Sequence, residues 1–266
     1  MNHTVGFIGT GNMGGALARA AAKVLPPERI LLANKTRAKA EALAAELGCR
    51  VGSVEEAAGC TYVFLGVKPQ MMADLLAQIG PVLAARTDRF VLVSMAAGLT
   101  MERIRAMAGG SYPMIRIMPN TPVAVGEGVI QYDGLDVTEE EIAQFCAMLA
   151  QGGLLDPLPE KLIDAGSAVS GCGPAFADLF LEALADGGVA CGLPRAKAQA
   201  YAAQMLLGAA KLALESGQHP GQLKDAVCSP GGSTIAGVRA LEQRAFRAAV
   251  MEAVEAAWKR NRELGA

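Results

Sequence analysis

The segment Val5-Gly6-Phe7-Ile8-Gly9-Thr10-Gly11-Asn12-Met13-Gly14 sets three glycines directly behind a compact apolar run. The spacing G-x-G-x-x-G is typical of dinucleotide-binding turns when a strand precedes it and a helix follows it. Gly9 permits the tight turn, Gly11 lets the backbone approach a pyrophosphate, and Gly14 lets the helix pack closely on the strand. The pattern predicts a dinucleotide site, with a glycine-rich turn that holds no ligand as the alternative.

On either side of this segment, the chain up to about residue 155 alternates between β-like runs and helical patterns. Such alternation is typical of parallel strands joined by crossover helices. We therefore predict an α/β fold, with an N-terminal Rossmann-type doubly wound parallel sheet. The predicted strands are 5–8, 30–33, 62–67, 90–94 and 112–118, with short ones near 128–132 and 153–158, and the predicted helices are 12–24, 37–47, 70–83, 101–107 and 139–149.

The pattern changes after Pro159, where helical stretches punctuated by Gly and Pro replace the strands. We predict two domains, residues 1–159 for dinucleotide binding and residues 160–266 as an all-helical part for substrate binding and dimerisation. Its helices, at 175–189, 195–215 and 246–262, carry apolar residues on several faces. A second copy of the chain would bury this surplus surface. A single large monomeric core is the alternative.

Composition and charge exclude several classes of function. The 266 residues carry a net charge of −2, which argues against a nucleic-acid binder and gives no reason to expect a membrane partner. No signal-peptide pattern and no apolar run of the ~18 residues needed for a membrane span is visible. The six cysteines form no C-x-x-C pair, and His3 and His219 lie far apart, so no metal site is expected. We expect a cytoplasmic protein with reduced, mostly buried thiols.

The second predicted strand runs into Asn34-Lys35-Thr36-Arg37. An NAD site usually presents a carboxylate to the ribose 2′-hydroxyl at this point, and none is present. Lys35 or Arg37 would instead attract a 2′-phosphate, which favours NADPH over NADH. The alternative is that these cations belong to a solvated first helical turn.

Four further stretches end strands or open helices. Val67 and Lys68 follow one strand, and small residues including Ala97 follow the next. Two prolines fix a turn around Asn120. In the helical half, Ser229-Pro230-Gly231-Gly232-Ser233-Thr234 opens a helix, where free amides can bind an anion such as a small carboxylate. Plain N-capping by Ser233 or Thr234 is the alternative reading of that turn.

Taken together, these motifs resemble the pyrroline-5-carboxylate reductase family and occur in its order along nearly the whole chain. The segments that carry the resemblance are Gly6–Met13, Val67-Lys68-Pro69, Met118-Pro119-Asn120-Thr121-Pro122, Ser170-Gly171-Cys172-Gly173-Pro174-Ala175, Ala185-Asp186-Gly187-Gly188-Val189, His219–Asp225 and Ser229–Thr234.

The resemblance implies a reductase in which hydride passes from NAD(P)H to the imine of (S)-1-pyrroline-5-carboxylate, giving L-proline. It implies a homodimer, open to assembly into a larger homo-oligomer, with the active site between one chain's cofactor domain and the partner's helices. The substrate carboxylate would sit on the amides of Gly232, Ser233 and Thr234. The Thr234 hydroxyl would contact the ring nitrogen as the catalytic contact, and Glu160 would lie near the substrate.

Ser53 would lie beside the adenosine, where many family members carry Asn. The predicted cofactor-binding residues are therefore Ile8, Gly9, Thr10, Gly11, Asn12, Met13, Gly14, Asn34, Lys35, Thr36, Arg37, Ser53, Val67, Lys68, Pro69, Ala97 and Asn120.

Two rival functions remain open from the sequence. One is a reductase of similar architecture that acts on a 3-hydroxy acid or another imine. Such enzymes usually need a catalytic Lys or His, and none of the lysines of the helical half has a compelling context. The other rival is a regulator that binds the cofactor without turnover.

Overall fold

The computed structural model describes residues 4–264, so His3 lies outside the described part. The strands are β1 (Val5–Ile8), β2 (Ile30–Ala33), β3 (Arg50–Val51), β4 (Tyr62–Leu65), β5 (Val91–Ser94), β6 (Met114–Pro119), β7 (Gly128–Leu135) and β8 (Gly153–Pro157). The helices are α1 (Asn12–Ala22), α2 (Arg37–Leu47), α3 (Val54–Ala58), α4 (Met72–Ala85), α5 (Met101–Ala108), α6 (Glu139–Leu149), α7 (Glu160–Ser170), α8 (Gly173–Ala190), α9 (Arg195–Ser216), α10 (Pro220–Ala226), α11 (Ser233–Gln243) and α12 (Phe246–Leu264).

All eight strands form one sheet, in the order β3-β2-β1-β4-β5-β6-β7-β8. Strands β1 to β6 pair with one another in the parallel sense, as the alternating sequence pattern predicts. The chain leaves β1 on one side toward β2 and later returns to β4 on the other side. In open α/β sheets, ligands bind at such a switch point, outside the carboxyl ends of the strands. The first glycine turn follows β1 and therefore lies at that point.

The predicted α/β fold with a doubly wound, mainly parallel sheet is confirmed, and the far edge of the sheet departs from the parallel arrangement. Strand β7 pairs with β6 in the antiparallel sense, and β8 runs parallel to β7. The connection between β6 and β7 is the short 3-10 turn Thr121–Val125 followed by Gly126 and Glu127. A parallel neighbour needs a crossover of roughly a dozen residues or more, so this connection can only reverse the chain.

Two apolar cores cover the two faces of the sheet. One packs helices α1, α2 and α6 on side chains such as Phe7 and Phe64, whose rings stack 4.5 Å apart. The other packs α3, α4 and α5 on the opposite face, around side chains such as Leu65 and Ile104. Because strand residues alternate between faces, both cores draw on the same strands. The sheet is thereby buried on both sides, and the ends of its strands are held in fixed positions.

The chain divides into two compact units. The first runs to Cys172 and includes the chain from Ala257 on, and the second is Gly173–Ala256. Helix α7 belongs to the first unit because its buried face, including Ile163, packs beside β6 and β7. The structural division thus falls after α7, while the predicted domain boundary falls before it. That boundary, after residue 159, stays a prediction about function.

The second unit is helical, and no strand occurs between residues 160 and 264. Helices α8 and α9 pack on each other through small residues. A Cβ added to Gly188 would lie 3.3 Å from the Cβ of Ala198. Few side chains of this unit are buried, and large apolar ones such as Leu179 and Met251 are exposed. The unit therefore presents much apolar surface that it does not cover itself.

Two sequence expectations need correction. Only Cys60 is buried among the six free cysteines, while Cys191 is exposed and the other four are half-buried. Burial raises the pKa of the Cys60 thiol, so it stays protonated near neutral pH. Within Glu160–Ala190, an 18-residue window reaches a mean hydropathy of 1.2, so on length and composition alone this stretch could cross a membrane. A single stretch of this kind is weak evidence, and this one is broken by the turn between α7 and α8.

Candidate active site

Close backbone approach explains two glycines of the first turn. Gly9 has a φ of +102°, and its amide donates a hydrogen bond to the carbonyl of Ala33 at 2.8 Å. A Cβ on Gly9 would lie 2.6 Å from the carbonyl oxygen of Gly66, and one on Gly14 would lie 2.1 Å from that of Gly9. Both distances are shorter than real Cβ contacts, so the fold itself requires these glycines.

Gly11 is different, because a Cβ added there would meet no atom within 4 Å. It is the N-cap of α1, its φ of −70° is open to any residue, and no side chain caps the helix. The first turn of α1 carries no acidic residue, so its free amides present a positive helix end. Nothing within the chain requires glycine at this position. A ligand whose phosphates lie directly against the turn would require glycine at this position.

A cleft of about 690 Å³ extends from this turn along the carboxyl ends of β1, β2 and β4. It brings together nine of the predicted cofactor-binding residues: Ile8, Gly9, Gly11, Asn34, Lys35, Arg37, Ser53, Val67 and Lys68. The other eight do not line it: Thr10, Asn12, Met13, Gly14, Thr36, Pro69, Ala97 and Asn120. Their contact with a cofactor stays a prediction. Sequence reasoning missed Lys39, Glu55, Asp74 and Gln78, which the cleft adds from helices α2, α3 and α4.

Asn34 fixes the turn that follows β2. Its Oδ1 accepts a hydrogen bond from the amide of Thr10 at 3.0 Å, and its Nδ2 donates to the carbonyl of Thr36 at 3.0 Å. One amide side chain thus ties the first glycine turn to the start of α2. The lysine and arginine that follow are therefore presented from a fixed backbone.

Charges of both signs line the cleft. Lys35, Arg37 and Lys39 are exposed, and the Nε of Arg37 pairs with Glu41 at 2.8 Å. A hydrogen bond from Gln78, 2.7 Å long, lowers the pKa of the Glu55 carboxyl. Glu55 therefore stays ionised near neutral pH and makes its part of the cleft negative. The cationic part lies at the end of β2, where a 2′-phosphate would be expected.

Ser53 begins α3 and caps it. Its Oγ accepts from the amide of Glu56 at 3.1 Å, and its own amide donates to the Glu56 carboxylate at 2.6 Å. This capping box satisfies two groups at the helix start. The side chain that we assigned to the adenosine therefore already has a structural partner.

Asn120 ends β6 and is similarly engaged. Its Oδ1 accepts from the amide of Val129 at 2.9 Å, and its Nδ2 donates to the carbonyl of Ser170 at 3.0 Å. The residue is buried, and these bonds join β6, β7 and the end of α7. Asn120 therefore shapes the edge of the sheet, whatever else it contacts.

The second glycine turn belongs to the helical unit and precedes α11. Gly231 has a φ of +68°, and Gly232 is the N-cap. No side chain caps the helix, so the capping alternative for Ser233 and Thr234 does not apply. The amide of Gly232 donates to the carbonyl of Ser229 at 3.0 Å. Ser233 and Thr234 lie in the first helical turn, where amides have no intrahelical acceptor.

Glu160 begins α7, in the first unit. Its Oε1 accepts from the amide of Met101 at 2.8 Å and pairs with the Nη1 of Arg116 at 3.4 Å. Its own amide donates to Asp133 at 2.6 Å. Sequence reasoning missed Arg116, whose side chain is 1% exposed. The signal was present in the sequence, because an arginine inside the apolar strand Met-Ile-Arg-Ile-Met is seldom buried without a charged partner.

Residues 160–264 match the family model for pyrroline-5-carboxylate reductase dimerisation. Residues 4–98 match a second family model, described as NADP oxidoreductase coenzyme F420-dependent. The two matches cover, respectively, the helical part of the chain and the part that holds the first glycine turn and its cleft.

Whole-chain relatives carry the same name. A pyrroline-5-carboxylate reductase of Pisum sativum is 42% identical over 99% of this chain and 96% of its own length. One from Synechocystis is 43% identical over 100% of this chain and 99% of its own length. The crystal structure of a Plasmodium falciparum pyrroline carboxylate reductase with NADP bound covers 100% of this chain and 99% of its own, at 32% identity and a TM-score of 0.89. The chain therefore belongs to the pyrroline-5-carboxylate reductase family.

Proposed function

We propose that this chain is an NADPH-dependent imine reductase that converts (S)-1-pyrroline-5-carboxylate into L-proline, the last step of proline biosynthesis. The observation that carries the proposal is the open space beside Gly11, at the positive end of α1 and inside a cleft with lysine and arginine at its β2 side. Relatives that cover the whole chain are named for this activity.

The cleft fits a dinucleotide on two grounds. Gly9 and Gly66 bring the backbones after β1 and β4 together, and the space beside Gly11 leaves room for a pyrophosphate against the helix amides. The cofactor, when bound, supplies the hydride. The chain's residues bind it, fix its direction along the sheet edge and keep water from the reacting carbons, which must approach to roughly 3–3.5 Å.

The 2′-phosphate of NADPH is assigned to the end of β2. Lys35 is exposed there, and no partner for its amine is found among the described residues, whereas Arg37 is held by Glu41. Lys35→Ala should therefore raise the KM for NADPH about tenfold, the loss of one charge-assisted contact, with little effect on the KM for NADH. Lys23→Ala, which removes an exposed lysine outside the cleft, is the matched control. Equal effects on both cofactors would refute the assignment.

The substrate is assigned to the second glycine turn. Its carboxylate would accept hydrogen bonds from the uncapped first-turn amides at Ser233 and Thr234. The amide of Gly232, which the resemblance also assigns to the carboxylate, donates instead to the carbonyl of Ser229, so Gly232 would shape the turn. The Thr234 hydroxyl would orient the ring nitrogen, and Glu160 would lie nearby. A protonated imine is a good electrophile near neutral pH, so the residues need only hold it in place.

The helical part is proposed to join two copies of the chain into a homodimer, open to further assembly. An apolar groove of about 910 Å³ lies in this unit, lined by side chains such as Phe180, Leu184, Phe246 and Val250. A second copy would cover it, and the matching family model is one for dimerisation. We retain residues 1–159 as the nucleotide-binding part and 160–266 as the helical part. The active site would form between one chain's cleft and the partner's second glycine turn, in the cytoplasm.

A steady-state assay tests the proposal. NADPH oxidation should depend on pyrroline-5-carboxylate and should not respond to keto acids, and NADP+ should not be reduced when a 3-hydroxy acid is supplied. A preference for one of those compounds would support the rival reductase. Saturable NADPH binding without any substrate-dependent loss of NADPH absorbance would support the regulator.

A further inference from the structure

A buried arginine lies within the sheet. Arg116 is on β6, with Ser94 of β5 opposite it on one side and Asp133 of β7 on the other. Its side chain is 1% exposed, the lowest value of any ion-paired side chain among the described residues. Removing a guanidinium from water is unfavourable unless well-placed partners compensate the lost hydration. A buried arginine therefore calls for an explanation of what it does in the structure.

The partners of Arg116 are both on α7. Its Nη2 pairs with the Oδ1 of Asp164 at 2.8 Å, and its Nη1 pairs with the Oε1 of Glu160 at 3.4 Å. Glu160 and Asp164 are four residues apart and thus lie on one face of the helix. The planar fork of an arginine can hold two carboxylates at once, which a lysine cannot match.

The two carboxylate oxygens of Glu160 differ in their hydrogen-bond partners. Oε1 receives both Arg116 and the amide of Met101, which is the first residue of α5. No described residue donates a hydrogen bond to Oε2, and the side chain is 24% exposed. One oxygen is thus fixed within the protein, and the other is available to a ligand.

We infer that Arg116 is a positioning residue, which holds the Glu160 carboxylate so that its free oxygen faces the substrate. The inference rests on the proposed function, because it assigns Arg116 a part in binding the same cyclic imine. Arg116 does not itself touch the substrate, and it acts through Glu160.

The surrounding charges explain why the arginine is needed. Asp133, on β7, accepts a hydrogen bond from the amide of Glu160, the first residue of α7. Asp164 follows one turn along that helix, and Lys161 is exposed to solvent. Without Arg116, the carboxylates of Glu160 and Asp164, one turn apart on α7, would lose the buried cation that pairs with both. Their repulsion would turn Glu160 away from its present rotamer and leave only the Met101 amide to hold it.

Three variants test the inference. Arg116→Met should raise the KM for pyrroline-5-carboxylate about tenfold, the loss of one charge-assisted contact, while the Kd for NADPH stays within twofold. Arg116→Lys keeps the cation and should recover part of the loss, and it serves if Arg116→Met does not fold. Arg105→Met is the matched control. That arginine is also nearly buried and pairs with Asp136 at 2.6 Å, but it contacts neither Glu160 nor Asp164.

A double-mutant cycle with Glu160→Gln separates positioning from plain stability. If Arg116 acts through Glu160, Arg116→Met should add less than twofold to the KM of the Glu160→Gln protein. Fully additive effects, or an equal rise in KM for Arg105→Met, would overturn the inference. A wild-type protein inactive on pyrroline-5-carboxylate would instead refute the proposed function. If the wild-type enzyme is active, the comparison of KM between Arg116→Met and Arg105→Met tests the role of Arg116 and leaves the proposed function untouched.

Discussion

The two glycine-rich turns of this chain open helices in similar ways but are held by different forces. In the first, Gly9 and Gly14 are required by backbone atoms that approach within 2.6 Å and 2.1 Å of a hypothetical Cβ. In the second, a Cβ on Gly231 would meet nothing, and one on Gly232 would meet the flexible Oγ of Ser229 at 2.4 Å. The first turn is built into the sheet, and the second is exposed at the surface of a helical unit.

This difference shows that a glycine in such a motif can be required either by the fold itself or by a ligand. The first turn is specified by its own fold, so its presence predicts a fold before it predicts a ligand. Only Gly11, with open space beside it, points to something outside the chain. The second turn has no comparable backbone contact, so its assignment to the substrate is proposed from the family resemblance.

The largest effect is expected at Gly14. In Gly14→Ala the new Cβ would collide with the carbonyl of Gly9, and relief requires the turn to move. We expect the free energy of unfolding to fall by about 1–3 kcal/mol and the affinity for NADPH to fall about a hundredfold. Chemical denaturation and fluorescence titration measure the two quantities.

Gly15→Ala is the matched control for Gly14→Ala. It lies one residue further along α1, and its Cβ would make only ordinary contacts, the shortest of 3.4 Å to Arg19. Alanine is favoured over glycine within a helix by about 1 kcal/mol, so this variant should be as stable as the parent or more so. If both variants behaved alike, the first turn would not be held by backbone contact.

Gly11→Ala should separate the fold from the ligand. The backbone of Gly11 is accessible to alanine and the space beside it is open, so the melting temperature should stay unchanged. A methyl group at the pyrophosphate should nonetheless weaken NADPH binding by about tenfold or more, on the order of 1.4 kcal/mol. Unchanged binding would mean that the pyrophosphate does not approach this turn.

Thr234→Ala is the corresponding change at the second turn. We expect kcat/KM for pyrroline-5-carboxylate to fall about 5- to 30-fold, the loss of one hydrogen bond worth about 1–2 kcal/mol. Stability should hold, because the residue is exposed in the first turn of α11 and alanine is a good helix former. Ser233→Ala is the control, since its proposed contact is through the amide. Equal losses in both variants would remove the special role of Thr234.

The sequence was sufficient for features coded by neighbouring residues. It predicted strands β1 and β2 and helices α2 and α6 with the bounds that the structure has. It missed β3, α3, α7 and α10, all short or without clear periodicity, and it did not predict the direction of β7. Strand direction follows from how far a connection can reach in three dimensions, which local periodicity does not record.

The residues of the candidate site also differ in how well the sequence predicts them. The glycine turn and the cations after β2 are each a continuous stretch of sequence, and the cleft contains Gly9 and Gly11 of the first and Lys35 and Arg37 of the second. Arg116 is separated from Glu160 by 44 residues and from Asp164 by 48, so its partners appear only when β6 and α7 pack together. The proposed approach of the second turn to a cofactor cleft is even harder to predict from the sequence, because it would involve two different chains.

The smallest effect is expected at Gly231, and it tests whether the second turn has any internal requirement. Its φ of +68° is costly for alanine although the space around it is open. Gly231→Ala should therefore lower the free energy of unfolding by about 1 kcal/mol, a conformational cost without a collision. Gly237→Ala, in the interior of α11 and also in open space, should raise it by about the same amount. A loss of stability for Gly231→Ala beside a gain for Gly237→Ala would show that backbone conformation specifies the second turn. A gain in both variants would show that the turn places no conformational requirement on Gly231.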